Sequence, residues 1–587
     1  MSDQGFEMEQ EIQSTMVREK EAWSALGSAE QRVLGALFHQ HAGQTFSSLL
    51  PSEAWAREGL SGAEAKLAFA VLCRKGWICS MHKSWGERSY YIPTCHLAAL
   101  TLVYADRVGL HIAPMTGSVK KVIKEGKPHI AAELLHLLAW VLREGLPVTG
   151  KGTIHKRNVQ KLSTLTVLSC DDFKHIEISY EHDDLYPVHV MMMLDLLLCL
   201  QLVQKTGKGF EINEEPLRQW LKLPWSAMHR EIFRICMDRY GAQDAEGQHF
   251  RYQLALLGPG LDEWCVILNE EENFGIKGWV YALAGWGFGE IGESTAGELV
   301  FRWLMNPVDL LHDTVCWMIE PDRKQEKDEK RSGGIYVQPD LEIMVPPDVS
   351  AAVCWWLECC SERITRDQLS IYRLSKERIV KAHAGGFTYE AIADFLQRHA
   401  VNGVPKHVLA ALKDWTQACQ EIEGSSTHLT LSLEGVRGQS EDQGKGSLGA
   451  AECTESPEGL LRLHVMPGAM VNPSDAALDL LQDVNGKAAW DKRKADVPET
   501  WHRDWRKYHM STARQIAVQA VEWQVKLGIR EGDETLVLIP HQVQGHERWT
   551  LEAWCIVNSD ETAVQTEWRT LIPDRWDSMR LILPDDV

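Results

Sequence analysis

The chain has 587 residues, of which 44% are hydrophobic and 24% charged, an ordinary globular balance that is too long for one core and predicts three to five domains. Its formal net charge of −21 excludes nucleic-acid binding by the surface at large and confines any such contact to a local basic patch. The 14 Cys show no CxxC pair, which argues against a zinc ribbon and for a reducing cytoplasm, and the 23 Trp read as scattered core fillers.

Residues 1–27, with Asp3, Glu7, Glu9 and Glu11, read as a charged N-terminal helix and not as a targeting peptide. From Ser28 the pattern predicts a helix to His41, Thr45-Phe46, a short second helix, a third from Ser61 to Lys75, and two apolar runs, Trp77–Met81 and Tyr90–Ile92, around Ser84-Trp85-Gly86. Three helices and a two-stranded wing make a first winged helix over 28–110.

A second winged helix is expected over 118–225. Ile130–Arg143 carries Leu134, Leu137, Leu138 and Val141 at helical spacing, and Gly145 to Gly152 turn the chain. Thr153 to Leu162 is a second helix, Val188 to Val203 a third, and Lys205 to Ile212 the wing. Residues 118–161 hold nine Lys or Arg against three Glu, a local charge of +6. The residues expected to bind DNA are Lys151, His155, Lys156, Arg157, Lys161, Lys205 and Lys208, with Lys151, Lys156, Arg157 and Lys161 holding phosphates. The apolar run Val188 to Val203 contains Asp195 and is too short to span a bilayer, so no membrane partner is expected.

Residues 226–320 read as a degenerate winged-helix-like unit, with helices at Glu231–Tyr240, Ile276–Ala284 and Thr295–Leu304 and a strand at Trp264–Leu268. A mixed charge run within 321–334 reads as a linker.

The next segment opens Ile335-Tyr336-Val337-Gln338-Pro339-Asp340-Leu341-Glu342-Ile343-Met344-Val345-Pro346-Pro347, two apolar half-strands around a proline. Ser375 and Thr388 are expected N-caps, Gly385-Gly386 a helix stop, and Pro405 the first turn of a helix reaching Trp415. Val337-Gln338-Pro339, Val345-Pro346, Tyr372-Arg373-Leu374, Gly386, Phe395-Leu396 and Pro405 to Trp415 resemble the helicase-associated domain N-terminal to the motor of XPB-type DNA helicases, which also occurs in bacterial proteins without a motor. The run "GKGTIHKRNVQKL" resembles the winged-helix repeats that precede that domain. The resemblance implies a small α/β module at 335–420 that serves DNA transactions without catalysing them. Its core is expected from Phe395, Leu396, Leu409, Leu412 and Trp415, with Tyr372 and Leu374 on a second strand.

Residues 421–457 read as a polar linker, and 458–587 as a C-terminal α+β domain with a helix Thr512–Leu527 followed by strands. Its run "LVLIPHQVQGHERWTLEAW" weakly resembles WYL-type ligand-sensing domains of bacterial regulators, although the signature residues do not stand together.

No catalytic signature is complete. Gly145-x4-Gly150-Lys151 lacks the following Ser or Thr and a preceding strand. Gly287-x-Gly289-x-x-Gly292 has one βα unit at most, and Gly444-x-Gly446-x-x-Gly449 lies in the linker. The acids and histidines between Asp171 and Asp184 are rich in metal-ligand types but fall in an inter-helix loop.

The expected fold class is mainly α with α+β modules: a multidomain array of winged-helix units, a helicase-associated α/β module and a C-terminal α+β domain. The expected function is that of a cytoplasmic, bacterial-type, non-catalytic accessory protein of DNA repair or transcription, with no cofactor and no metal. Its partners would be DNA and a helicase or other protein. The alternatives are an interaction scaffold without DNA affinity and a transcription regulator that responds to a ligand through the C-terminal domain.

Overall fold

The computed structural model describes residues 20–420 and 497–584, apart from 48, 83–87, 108, 110, 127–128, 177, 179, 181, 241–243, 269–273, 312–332, 367–368, 547 and 560–563. Most of the N-terminal helix, Ser84-Trp85-Gly86, the 321–334 linker up to Ser332, the 421–457 linker and Gly444 to Gly449 lie outside these residues. The chain is a multidomain α+β protein with several separate small sheets, and it divides into two compact units.

The first unit gathers residues from Met1–His111, Gln243–Leu257 and Met466–Val587. Helices Ser28–His41, Ser52–Arg57 and Gly62–Arg74 are followed by the antiparallel hairpin Cys79–His82 with Arg88–Tyr91, and Phe46 bridges Tyr90. Ser61 and Glu64 close a capping box, two reciprocal bonds that satisfy N–H groups at the start of the third helix. Ala245–Leu256 belongs to this unit, where the Gln248 carboxamide accepts from Gly43 N–H at 2.8 Å.

In the same unit, helix Met510–Trp523 lies on an antiparallel sheet ordered Val564–Leu571, Thr550–Ser559, Glu534–Gln544, Lys526–Glu531, Ser578–Ile582. The helix ends four residues before the expected Leu527. Gln524 takes a left-handed φ of 56°, and Leu527 instead enters a strand. Ile516, Ala517 and Ala520 pack on Leu527, Ile529, Leu538 and Leu551, and Ala63 joins that core. Ala63 N–H donates to the Gln524 carbonyl at 3.0 Å, and Lys526 pairs with the buried Glu64 at 2.9 Å.

The second unit holds Ile112–Ala242 and Gly258–Val465. Its largest sheet is antiparallel, in the order Ile112–Pro114, Trp264–Ile267, Leu299–Trp303, Gly289–Ser294, Val119–Lys124. Residues 112–124 thus share a sheet with 264–303. The expected helix Thr295–Leu304 is instead a turn and the strand Leu299–Trp303. Val300, Phe301 and Trp303 are β-formers, and pairing on both sides of their strand overrides any helical spacing. Gly287 turns helix Phe274–Trp286 into strand Gly289–Ser294, so no helix N-terminus follows these glycines to hold a dinucleotide. A Cβ at Gly289 would lie 2.3 Å from the Phe301 ring, which explains the glycine by close packing.

Residues 335–420 form a four-stranded sheet, ordered Tyr336–Val337, Glu342–Val345, Ser370–Arg373, Glu362–Arg366, and four helices. Pro339-Asp340-Leu341 makes a tight turn, with Leu341 at a φ of 70°. Ser375 and Thr388 cap helices Lys376–Ala384 and Tyr389–His399 with their hydroxyls, as the sequence predicts. Tyr372, Leu374, Phe395, Leu396 and Leu412 are buried. Leu409 and Trp415 are only partly buried, and Val408 lies inside instead, so the inward face of Lys406–Gln420 is rotated from the one expected.

Candidate nucleic-acid interface

Helix Ile130–Glu144 begins the basic region. It is followed by strand Leu146–Pro147, helices Lys156–Leu165 and Val188–Cys199, and the hairpin Val203–Thr206 with Gly209–Ile212. The three short strands form one sheet in the order Leu146–Pro147, Gly209–Ile212, Val203–Thr206. A side chain at Gly209 would collide with Leu146 and Pro147, the nearest backbone atom being 2.3 Å from a Cβ.

The seven predicted residues fall on neighbouring elements. Lys205 and Lys208 are on the hairpin, and Lys151 is in the turn after Thr149. His155 is the N-cap of helix Lys156–Leu165, which carries Lys156, Arg157 and Lys161. Two bonds tie hairpin to turn to helix. Val148 N–H donates to the Lys208 carbonyl at 3.1 Å, and Thr149 N–H to the Thr153 carbonyl at 2.7 Å. Ile154 N–H then donates to the Tyr186 hydroxyl at 2.7 Å, which anchors the helix start. All seven side chains are exposed.

Lys121 is exposed on strand Val119–Lys124, opposite Glu293, and three other cations of the +6 segment are used differently. Lys120 pairs with Glu293 at 2.7 Å, Lys124 pairs with the buried Asp172, and Arg143 donates to the Glu358 carbonyl. Lys127 lies outside the described residues. Besides Lys121, the open cations of this region among the described residues are those of the hairpin, the turn and the short helix. Exposed Asp183 and Asp184, in the loop that Tyr186 pins to Ile154, oppose them. Asp172 is committed to Lys124 and to Ser169, its N–H at 2.8 Å.

Gly145 to Gly152 follow a helix, with Gly145 and Gly152 at positive φ, so this stretch is a reversal and not a strand-to-helix phosphate loop. Helix Val188–Cys199 is buried from His189 through Leu198. Its Asp195 takes Arg239 Nη2 at 2.8 Å and the Tyr240 hydroxyl at 2.6 Å, so it presents no basic face. Sequence reasoning missed Gln160 and Thr164, exposed on the short helix beside Arg157; their spacing of three and seven from Arg157 was the available signal.

A second polar centre joins this region to the sheet-and-helix module. Glu358, buried on helix Ala351–Cys360, accepts from His136 Nδ1 at 2.6 Å and the Tyr372 hydroxyl at 2.9 Å, with Arg363 3.5 Å away. Arg363 also pairs with buried Glu133 at 3.2 Å. Sequence reasoning missed Glu358; the available signal was a lone acid in an apolar run, and its partner His136 lies far away in sequence.

Residues 335–435 match the family described as helicase conserved C-terminal domain. The chain therefore carries a helicase-associated domain, and this segment ties it to nucleic-acid-related function. No curated protein matches the chain. No helix among the described residues is long and apolar enough to cross a membrane.

Proposed function

We propose that this protein is a non-catalytic accessory factor of DNA repair or transcription, cytoplasmic and bacterial in type. It binds DNA phosphates through Lys151, His155, Lys156, Arg157, Lys161, Lys205 and Lys208, and its XPB-type module at 335–420 docks a helicase or other protein. The observation that carries this reading is the exposed basic edge, joined through backbone hydrogen bonds, in a chain of net charge −21. The element order helix, strand, helix, helix, hairpin supports a winged helix there, and Ser28–Tyr91, with Phe46 as its first bridge, supports another. The test is fluorescence anisotropy on duplex DNA across a salt series. Affinity should fall steeply with salt, by about 0.9 in the log–log slope per phosphate contact. Lys156→Glu with Arg157→Glu should abolish binding. Binding indifferent to salt, or surviving both reversals, rejects the site.

A second reading, ligand response through the C-terminal domain, is favoured by a cavity of about 290 Å³ lined by Arg506, Lys507, His509, Trp576 and Met579, near the small end for ligand sites. A thermal-shift series with phenyl phosphate and benzoate tests it. Stabilisation that is lost in Lys507→Glu supports this reading, and no shift rejects it.

A further inference from the structure

We infer that the short helix Lys156–Leu165 enters the major groove of B-form duplex DNA and reads bases through Arg157 and Gln160, while the surrounding lysines hold the two phosphate backbones. This inference rests on the phosphate-contact reading above and gives that site its substrate class and its specificity residues.

One helix of this region is free to enter a groove. In a helix–turn–helix array the second of two successive helices usually fills the groove. Here that helix, Val188–Cys199, is buried along its length and binds Arg239 and Tyr240 through Asp195, so it has no face to offer. Lys156–Leu165 buries only Val159 and Leu162. Its exposed residues are Lys156, Arg157, Gln160, Lys161 and Thr164.

Their spacing sorts them. At 3.6 residues per turn, Arg157 and Thr164 stand opposite the buried pair. Gln160 and Lys156 lie to one side and Lys161 to the other. A helix with side chains is about 10–12 Å wide and fits the major groove of B-DNA, about 12 Å across, but not the deep, narrow groove of A-form RNA. The outward stripe, with Gln160 at its edge, then faces base edges. Arg is suited to the two acceptors of guanine and Gln to the donor and acceptor of adenine. Lys156 and Lys161, on opposite flanks, meet opposite backbones. Lys151 and Lys208 sit beyond the helix start, where the hairpin and the turn are joined, and extend the phosphate contact along one strand.

The experiment uses the full chain and a randomised duplex library, with selected sequences measured by anisotropy. The expected outcome is a short preferred motif containing a guanine and an adenine. Arg157→Ala and Gln160→Ala should each relax preference at one position, with discrimination falling roughly 5- to 150-fold. Lys156→Ala and Lys161→Ala should weaken all sequences alike and lower the salt slope by about 1 each. Unchanged circular dichroism melting separates these effects from unfolding. Salt-sensitive duplex binding without sequence preference, or a preference that survives both substitutions, overturns groove reading but leaves phosphate contact standing. Tighter binding to single strands or to duplex RNA overturns it as well. No binding to any duplex at low salt rejects the phosphate-contact reading, and the inference with it.

Discussion

His229 shows how one residue sets a pH limit. It lies inside helix Trp225–Arg239, with Nδ1 2.7 Å from the Trp225 carbonyl and its ring edge-on to Phe288. Burial drives its pKa down to about 4, and the carbonyl bond offsets this only in part. The folded state therefore holds His229 neutral where the unfolded chain, with a pKa near 6.5, is protonated. Between those values the unfolded state binds more protons, so stability falls as the pH drops from about 6.5 to about 4. Urea midpoints should decline across that window in the wild type and decline less in His229→Gln. Equal slopes would show that another group sets the acid limit. The candidate site behaves differently at this scale, because its side chains are exposed and their identity was readable directly. Lys156 and Arg157 needed only charge counting. Which cations were already spent was not readable, since Lys120 and Lys124 find their acids at Glu293 and Asp172, far away in sequence.

Elements were legible where local rules suffice. The hydroxyl caps Ser375 and Thr388 and the strand through Tyr372 came from neighbouring residues alone. The rotation of Lys406–Gln420 did not, because Val408 and Leu409 are equally apolar and only tertiary packing selects one. Leu412, wholly buried, should cost about 2–5 kcal/mol as Leu412→Ala, and partly buried Trp415→Ala should cost less. Chemical denaturation of both variants tests the ranking, and a larger loss at Trp415 would restore the face expected from sequence. Strand Leu299–Trp303 was missed for a related reason: a short apolar run fits helix and strand alike until its pairing partners are known. The reversal at Gly145 to Gly152 allows a further test. Purified protein should neither hydrolyse ATP nor gain thermal stability from ATP and magnesium. A shift that vanishes in Lys151→Ala would make that turn a nucleotide site.

At the scale of the whole molecule, the second unit is bound together by polar contacts that no local pattern announces. Burial pushes the Glu358 carboxyl up. The bond and charge of His136, then Arg363 and Tyr372, outweigh it and leave the pKa below the usual range. Its contribution is therefore present above the ordinary carboxylate range and lost as pH falls through the lowered value. Removing a partner from a buried pair typically costs about 3–5 kcal/mol, because the remaining charges stay buried. Glu358→Gln should lower protection from hydrogen exchange in both Ile130–Glu144 and Ala351–Arg373. Loss confined to one of them would show that the network does not couple them. An isolated 333–420 fragment lacks Glu133 and His136 and should melt below the same segment in the full chain.

The discontinuous first unit also imposes an order in time. Glu64 and Ala63 are made early, but Lys526, the Gln524 carbonyl and the sheet core that receive them are made hundreds of residues later. During synthesis the second unit has its described strands and helices before the first has its last sheet. A newborn chain thus spends an interval with Glu64 lacking its cation and the Ala63 surface uncovered, and in that interval it is most open to proteases and to chaperones.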